Sequence, residues 1–215
     1  MARRVLKTSR TDRAASTKDV PASGEKADAR RSELAEAALQ TIAELGYART
    51  SLREIANKSN FTHGVLHYYF EDKLDLICCA VRYYKSNCAR RYDGVVATAR
   101  TSEELKEGFL HNLGLTLEQD ALMQRLWYDL RAQALFEEAF RRDVYEIDRK
   151  LEDMIWRVAS RMADLDGKTL IWSSVELYAL FDGIFQRYLL RHMAGEGSAV
   201  DDLRREARRI VDKIY

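Results

Sequence analysis

Apolar residues recur every three or four positions from Ala29 onward, which is the spacing of one face of an α-helix. The first such segment is followed by Gly46, and glycine adopts the left-handed conformation that closes many helices without steric cost. The same spacing continues towards the end of the chain. The pattern therefore predicts an all-α protein, and the apolar face of its first helix comprises Leu34, Ala38, Ile42 and Leu45.

Two short helices and one long helix are predicted after this glycine. Ser51 and Glu54 stand three residues apart, which is the arrangement of a capping box at the start of a helix. Thr62 opens the second short helix, and Asp72 is a favourable N-cap for the long one. We expect the apolar stripe of the long helix to comprise Leu74, Ile77, Val81, Cys88, Tyr92 and Val95.

The remainder of the chain predicts three or four helices before Gly167 and two more after it. Residues 169–192 are apolar on most faces, so we expect this helix to be buried nearly all round. Asp201 and Asp202 begin a last amphipathic helix, in which acidic residues come first and basic residues later. That order suits the helix dipole and supports the assignment.

Composition narrows the class of protein. The chain has 215 residues, one proline and a formal net charge of +1. Its overall charge therefore gives no indication of a polyanionic partner. Its three cysteines, Cys78, Cys79 and Cys88, are too few for a disulfide scaffold and suit a reducing compartment. No apolar run reaches the ~18 residues that a membrane span requires. We therefore expect a cytoplasmic protein without membrane association.

Residues 1–28 lack apolar periodicity and carry seven basic and four acidic side chains, a net charge of +3. This composition predicts a disordered basic arm. Two interpretations stay open at this point. The arm is either an unselected tail or a segment that contacts the DNA backbone.

Motifs of enzymes are mostly absent from the chain. It has no paired-histidine metal motif, no Cys-x-x-Cys and no Gly-x-Ser-x-Gly. Residues 167–169 resemble the tail of a phosphate-binding loop, but the upstream glycine of that loop is Met162 here. We expect no catalytic residue, no metal site and no cofactor.

Residues 47–76 predict a helix-turn-helix. The two short helices are joined by a tight link at residues 57–61, which allows the second helix to enter the major groove while the first supports it. Recognition helices contact base edges and phosphates through small or hydrogen-bonding side chains. On the outer face of the second helix they are Thr62, His63, Gly64, His67 and Tyr68.

Three ordered segments, residues 50–56, 61–70 and 72–76, together resemble the DNA-binding domain of the TetR family of one-component transcriptional regulators. The resemblance implies a homodimer that binds a pseudo-palindromic double-stranded DNA operator. It implies a DNA-binding domain at residues 29–75 and a ligand-binding and dimerisation domain at residues 76–215. The DNA-binding residues that the resemblance implies are Thr50, Ser51, Thr62, His63, Gly64, His67, Tyr68, Tyr69 and Lys73.

The aromatic residues of the larger domain suit core packing, and they also suit a pocket for a small apolar or aromatic effector that releases the DNA. The predicted pocket residues are Phe109, His111, Leu113, Trp127, Tyr145, Trp156, Glu176 and Tyr178. The last two helices are predicted to form the dimer interface. Its residues are Phe181, Gly183, Ile184, Phe185, Tyr188, Leu203, Ala207 and Ile210.

Two alternatives to a ligand-released repressor remain. The cysteines allow a repressor that responds to thiol oxidation, although Cys78 and Cys88 are roughly 15 Å apart along one helix and cannot bridge within it. Residues 29–75 carry six basic and seven acidic side chains, a net charge of −1. That balance is the support for a helical interaction protein that does not bind DNA.

Overall fold

A computed structural model describes residues 23–215 of the chain. This part forms ten α-helices and no β-strand, which confirms the predicted all-α class. In chain order the helices are α1 (Ser23–Leu45), α2 (Leu52–Lys58), α3 (His63–Tyr69), α4 (Lys73–Arg90), α5 (Asp93–Thr98), α6 (Ser102–Gln119), α7 (Ala121–Gln133), α8 (Glu138–Asp166), α9 (Ser174–Met193) and α10 (Ala199–Val211).

The predicted N-terminal arm lies mostly outside the described residues, which begin at residue 23. Residues 23–28 belong to the first turns of α1, so the prediction of disorder is wrong for them. Gly46 closes α1 at φ +73°, as its position predicted. The predicted boundary between the two domains falls inside α4, and this continuous helix belongs to both.

Side-chain caps fix the starts of α2, α3 and α4 where the sequence predicted them. The side chains of Ser51, Thr62 and Asp72 each accept a hydrogen bond from the backbone N–H three residues later. The predicted capping box at α2 is only half formed, because the Glu54 carboxylate accepts from the Ser51 hydroxyl at 3.4 Å. Both bonds of a capping box form instead at the start of α9.

The long fourth helix ends at Arg90, about one turn earlier than predicted. The side-chain amide of Asn112 donates to the Arg91 carbonyl at 3.4 Å, which satisfies one of the terminal carbonyls of α4. The chain then turns into the short helix α5, whose Val95 packs on Gly108 of α6. A Cβ on Gly108 would clash with a Val95 methyl carbon, so glycine permits this close approach.

Helix α9 does not have the all-round burial that its composition predicted. One face packs in the core, but Val175 is 62% exposed and Leu190 is 67% exposed. The helix also begins at Ser174, five residues later than expected. A single chain thus leaves an apolar outer face on α9. Beside it lies α10, which begins two residues before Asp201.

The C-terminal end of α1 is held by α7. Arg125 of α7 donates to the Ala43 carbonyl at 2.6 Å, and Asp129 accepts from the Tyr47 backbone N–H at 2.9 Å. The ring of Tyr47 also packs edge-on against Phe140 of α8. These contacts join the three N-terminal helices to the remaining helices. Within residues 23–215, no helix is both long and apolar enough to cross a membrane.

Candidate DNA-binding surface and interior cavity

The outer face of α3 presents the side chains that the sequence assigned to it. Leu66 is fully buried and anchors the helix, whereas Thr62, His63, Gly64 and His67 are exposed. Tyr68 is 81% exposed, which makes it the most exposed tyrosine of the described residues. We call the exposed side chains of residues 62–68 the α3 surface.

The α3 surface carries ordered groups. The Nε2 atoms of His63 and His67 lie 3.1 Å apart, so one ring donates a hydrogen bond to the other. The rings of Tyr68 and Tyr69 pack edge to face with their centroids 4.9 Å apart. These side chains thus present donors and acceptors in a defined arrangement, as base and phosphate contacts require.

Two of the predicted DNA-binding residues have other partners. The Thr50 side chain is buried, and its hydroxyl donates to the Gly46 carbonyl at 2.6 Å, because the end of α1 leaves carbonyls without helical partners. Lys73 Nζ donates to the Tyr47 carbonyl at 3.4 Å and lies 4.3 Å from the Tyr47 ring centroid. The Thr50 hydroxyl is therefore not part of the exposed surface, and Lys73 lies against Tyr47 at the junction with α7.

The second candidate site is a cavity between α4, α6, α7, α8 and α9, which we call the interior cavity. Of the residues predicted to form a pocket, Leu113, Trp127 and Tyr178 line it. Phe109 lies one layer behind the wall and packs edge-on against Phe181. The cavity has a volume of about 80 Å³.

The other four predicted pocket residues do not line this cavity. His111 is exposed beside Arg204 and Arg208 of α10. Periodicity identifies the apolar face of a helix, but the packing of neighbouring helices decides which side chains reach an interior space. The remaining three are Tyr145, which is 65% exposed, Trp156, which faces the outer groove of α4 and α8, and Glu176, which is exposed and caps α9.

The polar side of the cavity was missed by sequence reasoning. Lys85 of α4 is 95% buried, and its Nζ donates to Gln124 at 2.6 Å. Gln124 in turn donates to the Tyr84 hydroxyl at 2.9 Å. Burial lowers the pKa of Lys85 to about 8. A signal was available, since Lys85 is a charged residue four positions after Val81 on the apolar stripe of α4.

A charged network closes one side of the cavity. Arg131 Nη1 lies 2.5 Å from Asp182, which also accepts from the Tyr128 hydroxyl at 3.0 Å. Asp148 accepts from the Tyr178 hydroxyl at 2.5 Å, and Arg131 Nε lies 3.4 Å from its other oxygen. Burial raises the pKa of Asp148, while the Tyr178 hydroxyl and Arg131 oppose that shift.

Comparison with known proteins assigns the DNA-binding part. The model of the family described as "Bacterial regulatory proteins, tetR family" matches residues 34–77, which contain α2 and α3. The chain therefore contains a TetR-type DNA-binding region. It is 26% identical over 167 residues to the HTH-type transcriptional regulator BetI of Agrobacterium fabrum, a match that covers 75% of this chain and 78% of that protein.

Solved structures share the fold of this chain. A TetR transcription regulator from Haloarcula marismortui matches with a TM-score of 0.70 and 20% identity, covering 86% of this chain and 98% of that one. The transcriptional regulator FadR from Bacillus subtilis, in complex with stearoyl-CoA, matches with a TM-score of 0.67 and 15% identity. That match covers 85% of this chain and 98% of that one.

The residues predicted for a dimer interface divide into two groups in the regulator. Five of them are buried inside the single chain, because they face the core side of α9 and α10: Phe181, Phe185, Tyr188, Leu203 and Ala207. They are therefore not exposed on the surface of the single chain. Gly183 is exposed, and Ile184 and Ile210 line an outer groove that also includes Leu180 and Trp172. We call these five residues the α9–α10 outer face.

Proposed function

We propose that this regulator represses transcription by binding a pseudo-palindromic operator as a homodimer, and that a small apolar or aromatic effector in the interior cavity releases it. The observation that carries the proposal is the position of α7. Its Trp127 lines the interior cavity, and its Arg125 and Asp129 hold the end of α1. One helix thus contacts both the proposed effector and the DNA-binding domain.

The proposed DNA-binding domain comprises residues 29–75, and α3 is its recognition helix. The exposed hydroxyls and imidazoles of the α3 surface suit base edges and phosphates in the major groove. Ser51 lies at the start of α2, where a phosphate would meet the N-terminal end of a helix. The proposed contacts are Ser51, Thr62, His63, Gly64, His67, Tyr68 and Tyr69, with Lys73 at the domain junction and Thr50 contributing only through its backbone.

The proposed dimer forms through the α9–α10 outer face. Leu180 is 37% exposed there, and Ile184 and Ile210 remain partly exposed in the single chain. An exposed apolar surface of this kind on two adjacent helices marks an interaction site. A two-fold axis would place the same surface of each subunit against its copy and the two α3 helices on one side of the dimer.

The size of the interior cavity supports a link between effector binding and DNA release. Its volume of about 80 Å³ is smaller than the ~150 Å³ of an apolar cavity that holds benzene. An aromatic effector would therefore have to separate the surrounding helices. Movement of α4 or α7 would tilt the DNA-binding domain, since α4 follows α3 directly and α7 holds α1. Such a ligand prefers the conformation that fits DNA poorly, which is the requirement for coupling.

The apolar character of the effector follows from the side chains of the cavity. Leu113, Leu151, Met154 and Phe185 are among the apolar side chains of its wall. Sites for small molecules are mostly apolar with a few polar groups that orient the ligand. One structural neighbour, FadR, was solved with stearoyl-CoA, so in that protein this fold accommodates a ligand with a long apolar chain.

The chemistry of the cysteines favours an effector over thiol oxidation. Cys78 and Cys88 are buried, and burial raises the pKa of each thiol. Cys79 is half-buried, and its pKa is also raised by burial. The thiolate is the reactive form, so these shifts reduce the reactivity of all three residues at neutral pH.

A gel-shift assay on genomic fragments tests the proposed function. We expect the purified protein to retain a small set of fragments that share a pseudo-palindrome, and an effector identified by thermal shift to release them. Binding that is equal for all fragments, or a stabilising ligand that leaves operator affinity unchanged, would contradict the proposal. A variant that carries Cys78→Ser, Cys79→Ser and Cys88→Ser should respond to the effector as the native protein does.

A further inference from the structure

Lys85 is a buried cation without an anionic partner. It is 95% buried in the wall of the interior cavity, and its Nζ bonds to the neutral side chain of Gln124. None of the ion pairs formed among residues 23–215 includes it. Its Nζ lies 5.1 Å from the Trp127 ring centroid, a contact that offsets only part of the lost hydration. A buried charge left this way costs folding free energy.

A second polar group of the same cavity lacks a partner. Trp127 is 99% buried, and its indole Nε1–H has no acceptor within the described residues. Buried donors are nearly always paired in folded proteins, so an unpaired one in a cavity wall calls for an acceptor from outside the chain. Lys85 and Trp127 thus line one cavity with an ammonium that lacks an anionic partner and an indole N–H that lacks an acceptor.

The carboxylates of the cavity do not fill this role. Asp182 accepts from Tyr128 and lies against Arg131. Asp148 accepts from the Tyr178 hydroxyl. Both acids are occupied by donors on α7 and α9, which leaves Lys85 as the charge that a ligand would meet. The ligand that suits this wall brings its own acceptor oxygen atoms and a negative charge.

We propose that the effector is a monocarboxylate with an apolar or aromatic body, and that its carboxylate accepts hydrogen bonds from Lys85 Nζ and Trp127 Nε1. The body lies against Leu113, Leu151 and Phe185. This inference rests on the proposed function, because it names the class of effector that occupies the same cavity. A carboxylate supplies the charge that Lys85 lacks, whereas an amine of the same shape is repelled by it.

Three matched sets of probes test the inference on the full-length protein by isothermal titration. The first set is octanoate, phenylacetate and 3-phenylpropionate; the second and third are the corresponding primary amides and amines. We expect at least one carboxylate to bind, and to bind about 10- to 100-fold more tightly than its amide, because its hydrogen bonds involve charged groups. The amines should not bind.

Variants identify the residues that hold the carboxylate. Lys85→Met keeps the apolar length of the side chain but removes the charge, so the preference for carboxylate over amide should vanish. Trp127→Phe should weaken carboxylate binding several-fold and leave the amide nearly unaffected. Lys150→Met removes an exposed lysine on α8 and should bind every probe as the native protein does. A raised melting temperature of Lys85→Met without ligand would show that this variant folds.

The inference is overturned if amides bind as tightly as carboxylates, if the preference survives in Lys85→Met, or if no probe of the three sets binds. The proposed function is tested separately by gel shift with the same probes. Release of DNA by a neutral amide would leave the proposed function intact and refute the carboxylate. Carboxylate binding that depends on Lys85 without release of DNA would support the site and refute its coupling to the operator.

Discussion

Lys85 shows how one side chain changes the dependence of stability on pH. Its pKa in the folded protein is about 8, below the ordinary value of 10.5, mainly because of burial. Between these two values the unfolded chain holds more protons than the folded one, so the free energy of unfolding rises with pH in that window. The titratable groups that act on Lys85 are the Cys88 thiol on α4, Asp182 on α9, Arg131 on α7 and Asp148 on α8.

Lys85→Met should therefore be more stable than the native protein at pH 7, and this advantage should shrink as pH rises from about 8 to 10.5. Urea unfolding of both proteins at several pH values measures the difference between their free energies of unfolding. The tyrosines titrate in both proteins, so their contribution cancels in this difference. Lys150→Met is the control and should follow the native curve throughout. A constant difference between Lys85→Met and the native protein would mean that Lys85 titrates normally.

Tyr68 is the residue-scale test of DNA recognition. Its side chain is 81% exposed on the α3 surface and has no structural role beyond its contact with Tyr69. Tyr68→Ala should weaken operator binding by about 1–3 kcal/mol and leave the melting temperature nearly unchanged. Tyr145→Ala is a matched control, because Tyr145 is also exposed but lies on α8. Equal affinities of the two variants would exclude Tyr68 from the DNA contact.

At the scale of elements, α7 connects the interior cavity to the DNA-binding domain. Asp129 accepts from the Tyr47 backbone, and Arg125 donates to carbonyls at the end of α1. Gly46 lies between the end of α1 and Tyr47 and has φ +73°. This turn therefore depends on a residue that adopts the left-handed conformation without strain. Any rotation of α7 would move this turn.

The double variant Asp129→Ala with Arg125→Met should bind effector normally but release DNA less completely. Coupling between sites in regulators is typically about 1–3 kcal/mol, and we expect the variant to lose at least half of it. Operator affinity is measured with and without effector, and effector affinity is measured by titration. A double variant of exposed residues on α8, Asp153→Ala with Arg142→Met, should retain the native coupling. Full coupling in the α7 variant would assign the signal to α4 alone.

At the scale of the whole molecule, the α9–α10 outer face is an apolar surface that a single chain leaves partly exposed. Ile184→Asp places a charge in it, and an unpaired charge at a buried interface is costly. We expect the native protein to sediment at twice 24.9 kDa and the variant at 24.9 kDa, with its helical content intact. The loss of dimerisation should also lower operator affinity, because a monomer cannot bind both half-sites at once.

Two further substitutions complete the test of the dimer. Leu135→Asp alters an exposed apolar residue on the loop between α7 and α8 and should remain dimeric. Phe185→Asp should unfold the protein or destroy the cavity, since Phe185 is buried within one chain. Dimers formed by Ile184→Asp would place the interface on another surface.

The sequence predicted the elements of this protein well where the deciding interactions are local. Thr62 and Asp72 cap helices through bonds to the third residue after them. Gly46 and Gly167 end helices in the left-handed conformation, as their positions indicated. Both partners of such an interaction lie within about four residues of each other, so capping patterns and periodicity predict it from the sequence.

What the tertiary structure decided is how each helix is rotated and where it is interrupted. At the end of α4, the Arg91 carbonyl accepts a hydrogen bond from Asn112, which lies 21 residues further along the chain. Whether Phe185 faces a partner or the core depends on contacts with α7 and α8, which periodicity cannot distinguish. The sequence alone predicted an all-α protein with a TetR-type DNA-binding domain. The interior cavity with its buried lysine and the apolar outer face arise only when helices distant in the chain pack together.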